Sequence, residues 1–179
     1  MIRSTPMINT AHLTLCAMRP EDFSRYVEIW RDPEVVRYIS GKPRSRGESW
    51  DAFLRNAGHW HMAGFGQWAI QLQSSRQMIG QAGFFFSDRC LGEDFDSFPE
   101  AGWVLAPEVQ GRGLGFEASK AAHDWFDRIM PGPLVALVDS ANTASHSLAE
   151  KLGYKVLRET EYLETKVHLF RRDGPPARF

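Results

Sequence analysis

The sequence predicts a single α/β domain, and three observations predict it. The chain has 179 residues, which fits one domain at roughly 150 residues per domain. Its composition, 43% apolar, 24% charged and 12% aromatic, matches a globular protein with a sizeable core and excludes disordered and collagen-like chains. Segments of period two alternate with segments at helical spacing, without internal repeats, low-complexity tracts or a long linker.

Taken in order, Leu13, Leu15 and Ala17 alternate with polar or sulfur-bearing neighbours, so His12 to Met18 is predicted as the first strand. Pro20, Glu21 and Asp22 open a helix, because proline tolerates the first turn and carboxylates favour its positive end. Phe23, Tyr26, Val27 and Trp30 continue that helix to Asp32-Pro33. Ser45 followed by Glu48 matches a capping box, and Trp50, Phe53, Leu54, Ala57 and Trp60 carry an amphipathic helix that Gly64 and Gly66 stop. Trp68, Ile70 and Leu72 alternate with glutamines, and Ser74 to Gln77 turn the chain into a second run, Met78 to Phe86, giving a hairpin.

An acid-rich loop, Gly92 to Glu100, leads into a strand over Ala101 to Leu105 that stops before Pro107. After a glycine-rich turn, Ala118, Ala121, Ala122, Trp125, Phe126 and Ile129 form the clearest helical stripe, closed by Pro131-Gly132-Pro133. The unbroken apolar run Leu134 to Val138 suits a strand covered on both faces. Asn142 or Thr143 caps a short helix through Lys151 that Gly153 ends, and strands follow near Lys155 to Thr160 and Lys166 to Phe170. About four helices thus flank one sheet. The ordered core is expected over about 11–170, with frayed ends at 1–10 and 171–179.

Several function classes drop out. With 21 Lys and Arg against 22 Asp and Glu, the formal charge of -1 provides no field for gripping nucleic acid. Cys16 and Cys90 lie far apart and in no ligand-like spacing; both are expected to be packed thiols, and no metal is expected. No run approaches the roughly 18 to 20 apolar residues of a membrane span, and Met1 to Thr10 lacks an apolar signal core. No membrane partner and a cytoplasmic location are therefore expected.

The segment that carries chemistry is Pro107-Glu108-Val109-Gln110-Gly111-Arg112-Gly113-Leu114-Gly115-Phe116, a strand end, a glycine turn and the start of a strong helix. Glycines let successive amides face one side, and the first helical turn leaves N–H groups unpaired at a positive dipole end. Such a turn binds an anion, most naturally a pyrophosphate; equally, it is a tight connection needing glycines for room. A dinucleotide fingerprint fails at Phe116, where a third glycine belongs, and a triphosphate loop fails for want of Gly-Lys-Ser/Thr.

What remains is Q-x-x-G-x-G, formed by Gln110, Gly113 and Gly115 after a Trp-Val-Leu strand. Asp139-Ser-Ala-Asn142-Thr-Ala-Ser145 and Glu150-Lys151-Leu152-Gly153-Tyr154 follow, with Asn142 27 residues beyond Gly115. In this order the two motifs resemble the acyl-CoA signature of the GCN5-related N-acetyltransferases, GNAT, and most closely its RimJ/RimL branch. The resemblance implies a single-domain GNAT fold with a mixed, V-splayed β-sheet. The strands Ala101 to Leu105 and Leu134 to Val138 would part, with a bulge in the first baring backbone to a pantetheine arm.

It further implies acetyl-CoA as cosubstrate, transfer to the primary amine of a protein N-terminus or small molecule by direct attack in a ternary complex, and a possible homodimer. The main chain of Gln110, Gly111, Arg112, Gly113, Leu114, Gly115 and Phe116 would hold the pyrophosphate, Val104 and Leu105 would bond the pantetheine, and Asn142 would reach the cofactor arm. Arg112 reads equally as a solvated turn residue, and Asn142 and Ser145 equally as helix caps.

Many relatives protonate the thiolate from a tyrosine just before the Glu-Lys pair, a position held here by Ala149. Ser145 takes that role in this reading, Tyr154 packs its ring, and Glu100, at the start of the strand, serves as the base through water. His123 and His146 are surface or packing residues. Glu93, Asp94, Asp96 and Glu100 draw a cationic acceptor or form a solvated loop, while Trp30, Tyr38, Trp50, Trp60 and Trp68 shape an acceptor wall or fill the core. The alternative is a non-catalytic acetyl-CoA-binding or sensing module, favoured by Ala149. O-acylation or a longer acyl chain is a third reading.

Overall fold

The computed structural model describes residues 4–175. Strands β1 (Ile8–Asn9), β2 (Leu13–Cys16), β3 (Gln67–Leu72), β4 (Met78–Phe85), β5 (Glu100–Leu105), β6 (Leu134–Asp139), β7 (Lys155–Tyr162) and β8 (Thr165–Arg172) form one sheet, ordered β1-β2-β3-β4-β5-β6-β8-β7. Among the described residues, only β5 and β6 run parallel. The helices are α1 (Phe23–Arg31), α2 (Pro33–Val36), α3 (Arg46–Ala63), α4 (Glu93–Asp96), α5 (Leu114–Ile129) and α6 (Thr143–Lys151). Of these, α1, α3, α5 and α6 are the four that the periodicity marks. The four-residue α2 and α4 are additions, too short to show a period.

The local signals act as the residues dictate. Ser45 Oγ accepts from the Glu48 N–H at 3.2 Å, the Glu48 carboxylate accepts from the Ser45 N–H at 2.7 Å, and Gly64 closes α3 at φ +80. Asp32 ends α1 and caps α2, accepting from the Glu34 N–H at 2.8 Å. Alternation along β3 separates two cores: Trp68 and Ile70 lie in the cluster with Leu13, Phe84, Ala118 and Phe126 beneath α5, whereas Ala69 packs with Tyr26, Trp30 and Phe53 beneath α1 and α3. The sheet is therefore covered on both faces.

Order extends past the boundaries that the sequence suggests. Residues expected to fray hold β1, and the Trp68 indole donates to the Pro6 carbonyl at 2.8 Å. Glu117 of α5 accepts from the Thr10 hydroxyl at 2.6 Å and the His12 N–H at 2.8 Å. At the other end β8 continues through Arg172, which is 3% exposed and binds both oxygens of Asp127 at 2.8 Å. Residues 1–3 and 176–179, also expected to fray, lie outside the described residues. Cys16 is packed as expected, and burial raises its pKa, but Cys90 is exposed at φ +58 on an irregular turn. Among the described residues, no helix is long and apolar enough to cross a membrane.

Candidate active site

The sheet opens between β5 and β6. On one edge β5 pairs with β4 in unbroken register, from Glu100↔Phe85 to Leu105↔Gly80, so the bulge expected in this strand is absent. On the other edge a single pairing, Glu100↔Val135, joins it to β6, with the Val135 N–H donating to the Pro99 carbonyl at 3.0 Å. Divergence from β6, rather than a bulge, is what bares the strand.

Main-chain direction alternates along a strand, and the Pro99 carbonyl faces β6. Ala101, Trp103 and Leu105 therefore turn their N–H and C=O groups into the opening. Val104 turns its own toward β4, where a Cβ on Gly80 would collide with its carbonyl. This corrects the expectation for Val104: the backbone that faces the opening belongs to Trp103 and Leu105. The parity comes from the β4 pairing, and no local sequence signal carries it.

Beyond β5 the chain builds a cluster of donors. The Gln110 N–H is used within the turn, donating to the Pro107 carbonyl at 3.2 Å, and its side chain donates back to the Leu105 carbonyl at 2.9 Å. Gln110 thus braces the turn and contributes no free amide, a second correction. From Gly111 through Phe116 no main-chain N–H finds an acceptor among the described residues, and the first helical bond is that of the Glu117 N–H to the Gly113 carbonyl at 3.0 Å. Six consecutive donors therefore stand open at the positive end of a 16-residue helix.

The glycines serve two purposes. Gly111 and Gly113 hold φ of +72 and +79 with open space where a Cβ would sit, so they supply conformation. A Cβ at Gly115 would lie 2.9 Å from Leu105 Cδ1, so this residue lets α5 approach β5. The Leu114 side chain belongs to the core, while Arg112 and Phe116 are exposed. The nearby carboxylates are tied: Glu108 pairs with Arg25, and Glu117 is held by Thr10 and His12.

Across the opening, Asn142 caps α6, its Oδ1 accepting from the Ser145 N–H at 3.1 Å. Ser145 Oγ accepts from the Trp103 indole N–H at 3.2 Å, which links α6 to β5. With that lone pair used, the hydroxyl hydrogen is left to donate. Ala149, where the tyrosine of many relatives would stand, is fully buried. Tyr154 is buried against His123, its hydroxyl 2.8 Å from Nε2, while His123 Nδ1 donates to the Ser119 carbonyl at 2.7 Å. Burial pushes the Tyr154 phenol up and His123 down to about 4, so both are neutral packing groups.

Glu100 is not a free base. It is 3% exposed, and its two oxygens accept from Arg89 Nε and Nη2 at 2.7 and 2.8 Å. Burial works to lower the Arg89 pKa, but the bonds and charge of Glu100 outweigh it and raise it. The rest of the acid cluster is likewise engaged: Asp94 pairs with Arg158 at 3.1 Å, and Asp96 accepts main-chain N–H groups from Arg89, Leu91 and Gly92. Only Glu93 keeps no partner among the described residues. Of the aromatic wall, Trp60 and Trp68 are core, in edge contact at 4.7 Å, and Trp30 is buried beneath Arg44. Trp50 is exposed. No group of three or more His, Cys, Asp or Glu able to hold a metal occurs among the described residues.

Comparison with known proteins bears on this arrangement. Residues 12–155 match the family model described as Acetyltransferase (GNAT) domain. The uncharacterized N-acetyltransferase p20 of Bacillus licheniformis is 26% identical over 157 residues, 85% of each chain. A chain described as a GnaT-family acetyltransferase from Bordetella pertussis superposes at a TM-score of 0.85 with 28% identity, over 94% of this chain and 99% of that one. The RimL ribosomal L7/L12 alpha-N-protein acetyltransferase in complex with coenzyme A superposes at 0.76 over 94% and 98%; at 16% identity this likeness concerns the fold. An opened β5/β6 edge, a donor-lined helix start and a matched family model over most of the chain lead to one conclusion: the protein belongs to the GNAT family of acetyltransferases and is an acyltransferase.

Proposed function

We propose that this protein transfers the acetyl group of acetyl-CoA to a primary amine, the α-amine of a protein N-terminus or of a small molecule, by direct attack in a ternary complex. The observation that carries the reading is the run of six unpaired main-chain N–H groups from Gly111 to Phe116 beside the opened edge of β5. A pyrophosphate accepts from such a run, Arg112 adds positive charge at its rim, and the Trp103 backbone and the Leu105 N–H face the opening to bond an extended amide-bearing arm. The side-chain amide nitrogen of Asn142 faces no protein acceptor among the described residues and serves the same arm.

In the reaction the amine lone pair forms the N–C bond at the thioester carbonyl, the C–S bond breaks, and the proton that the amine loses ends on sulfur. Ser145 donates its hydroxyl hydrogen toward the departing thiolate. With Glu100 committed to Arg89, this reading requires no side-chain base: an α-amine with a pKa of about 8 is substantially neutral at physiological pH, and alignment of the two substrates supplies most of the acceleration. The deciding measurement is thiol release from acetyl-CoA with a panel of amines between pH 6 and 9.5. Amine-dependent release should rise with pH through about 8 for α-amines and then level off. Tight CoA binding without amine-dependent release would reduce the protein to a binding module.

A further inference from the structure

Positive charge gathers at one place in this chain. Residues 37–55, from the end of α2 into α3, carry five cations, Arg37, Lys42, Arg44, Arg46 and Arg55, against two acids, Glu48 and Asp51, although the formal charge of the whole is -1. Arg37 pairs with Glu34 at 3.6 Å, and Arg46 lies over the Phe23 ring. Lys42, Arg44 and Arg55 enter no ion pair among the described residues. All three line one cavity of about 330 Å³ together with Ser40, Glu48 and Asp51, a volume that suits a small ligand. The two acids do not neutralise it. Glu48 accepts the Ser45 N–H at 2.7 Å as part of the α3 cap, and neither acid forms an ion pair among the described residues.

Arg44 gives the cavity a fixed wall. Its main-chain N–H donates to the Trp30 carbonyl at 3.0 Å, which holds the residue against α1, and its guanidinium carbon stands 3.5 Å from the centre of the Trp30 ring. Nη1 donates to the Tyr26 hydroxyl at 3.4 Å. Tyr26 and Trp30 are buried, at 1% and 4% exposed, and the Trp30 indole N–H donates in turn to Gln81 Oε1 at 3.3 Å. The guanidinium is thus held on an aromatic floor, with a single N–H donor engaged and the others without an acceptor among the described residues. Burial depresses the Arg44 pKa, and the charge of Arg55 adds to the effect. A half-buried cation without a counter-charge, with two further cations beside it, is unfavourable by itself, and a bound anion relieves it.

We infer that this cavity is a binding site for an oxyanion, a carboxylate or a phosphoryl group, which the Arg44 fork holds while Lys42 and Arg55 add charge at its sides. A planar fork of donors selects a group with two oxygens over a spherical halide. The cavity lies on the face of the sheet packed by α1 and α3, opposite α5, so it is separate from the donor cluster at the start of α5. Gln81, which holds Trp30, pairs with Val104 of β5. The oxyanion therefore has two sources, a free ion or the acidic end of an amine acceptor that reaches β5.

The test follows the Arg44 Nε–H and Trp30 Nε1–H resonances of isotope-labelled protein titrated with inorganic phosphate and with succinate, against sodium chloride at matched ionic strength. Both oxyanions should shift the two resonances saturably in about 0.15 M salt, where diffuse surface attraction is screened, and chloride should not. Arg44→Gln should weaken the binding seen at Trp30 about tenfold, and Arg44→Lys, which keeps the charge but loses the fork, about fivefold. Because Arg44 also packs on Trp30, folding is checked by thermal melting. Arg55→Gln, at an exposed position, should weaken binding about threefold without altering the melt. Thiol release then separates the sources, with kcat/KM expressed per neutral amine. Phosphoethanolamine favoured over ethanolamine, or γ-aminobutyrate over γ-aminobutyramide, with the preference lost in Arg44→Gln, assigns the oxyanion to the acceptor. Equal turnover within each pair assigns the site to a free ion. Absence of saturable shifts with both oxyanions, shifts that chloride reproduces, or unchanged binding in a folded Arg44→Gln variant overturns the site. The binding readout does not depend on turnover, so release with no amine overturns the transfer reading and leaves the site standing.

Discussion

Ser145 and Glu100 are both polar residues beside the β5/β6 opening, and their hydrogen bonds leave them unequally free. Ser145 accepts from Trp103 and retains a hydrogen to donate, whereas Glu100 gives both oxygens to Arg89. Ser145→Ala should lower kcat about 10- to 100-fold with little change in KM, the range of one hydrogen bond to a developing charge, read in steady-state thiol release. Glu100→Gln should do the reverse. It leaves the Arg89 guanidinium without its counter-charge, and because Arg89 is partly solvated the cost should be about 2 kcal/mol in urea denaturation, with kcat in the folded fraction close to wild type.

Among the elements, α5 carries the cofactor-side reading and α3 the scaffold. Gly113→Glu forces a side chain onto a backbone at φ +79 and sets a negative charge among the open amides, so CoA affinity by calorimetry should fall at least tenfold. Unchanged affinity would dissociate the turn from the pyrophosphate. The capping box of α3 offers the contrasting case. Ser45→Ala removes the acceptor for the Glu48 N–H and should cost about 1 kcal/mol of stability while leaving CoA affinity alone. Together the two variants separate a helix start built for a ligand from one built for its own chain.

At the scale of the whole molecule, α5 ties the two halves of the parted sheet. It packs on β2, β4 and β5, reaches the other half through Arg172–Asp127, and holds Tyr154 through His123. His123 faces Tyr154 with Arg172, Asp127 and Asp124 nearby, and burial is the main force holding it neutral down to about 4. Its folded pKa lies below the unfolded value of about 6.5, so on acidification the unfolded chain takes the proton first. Stability should therefore fall by about 3 kcal/mol between pH 6.5 and about 4. Urea denaturation across that window should show the loss, and His123→Phe should flatten it.

Local patterns announced the elements that depend on neighbours in the chain. The Ser45–Glu48 box, the Asp32 stop, the stripe of α5 and the glycine turn all act within a few residues of where they are written. Ends and pairings were less legible. β1 exists because residues 8–9 find β2, and Arg172 is ordered because Asp127 lies across the packing, contacts that no local period records. The sequence by itself determined an α/β chain with a glycine turn of GNAT type, because glycine conformation and helix starts are short-range properties. Only the tertiary structure decided that Val104 faces β4 while Trp103 faces the opening, that Glu100 is an ion-pair partner, and that Gln110 braces the turn through the Leu105 carbonyl. Each of those depends on which strand lies alongside and which side chain arrives from across the sheet, and a residue's own neighbours in the chain do not encode that.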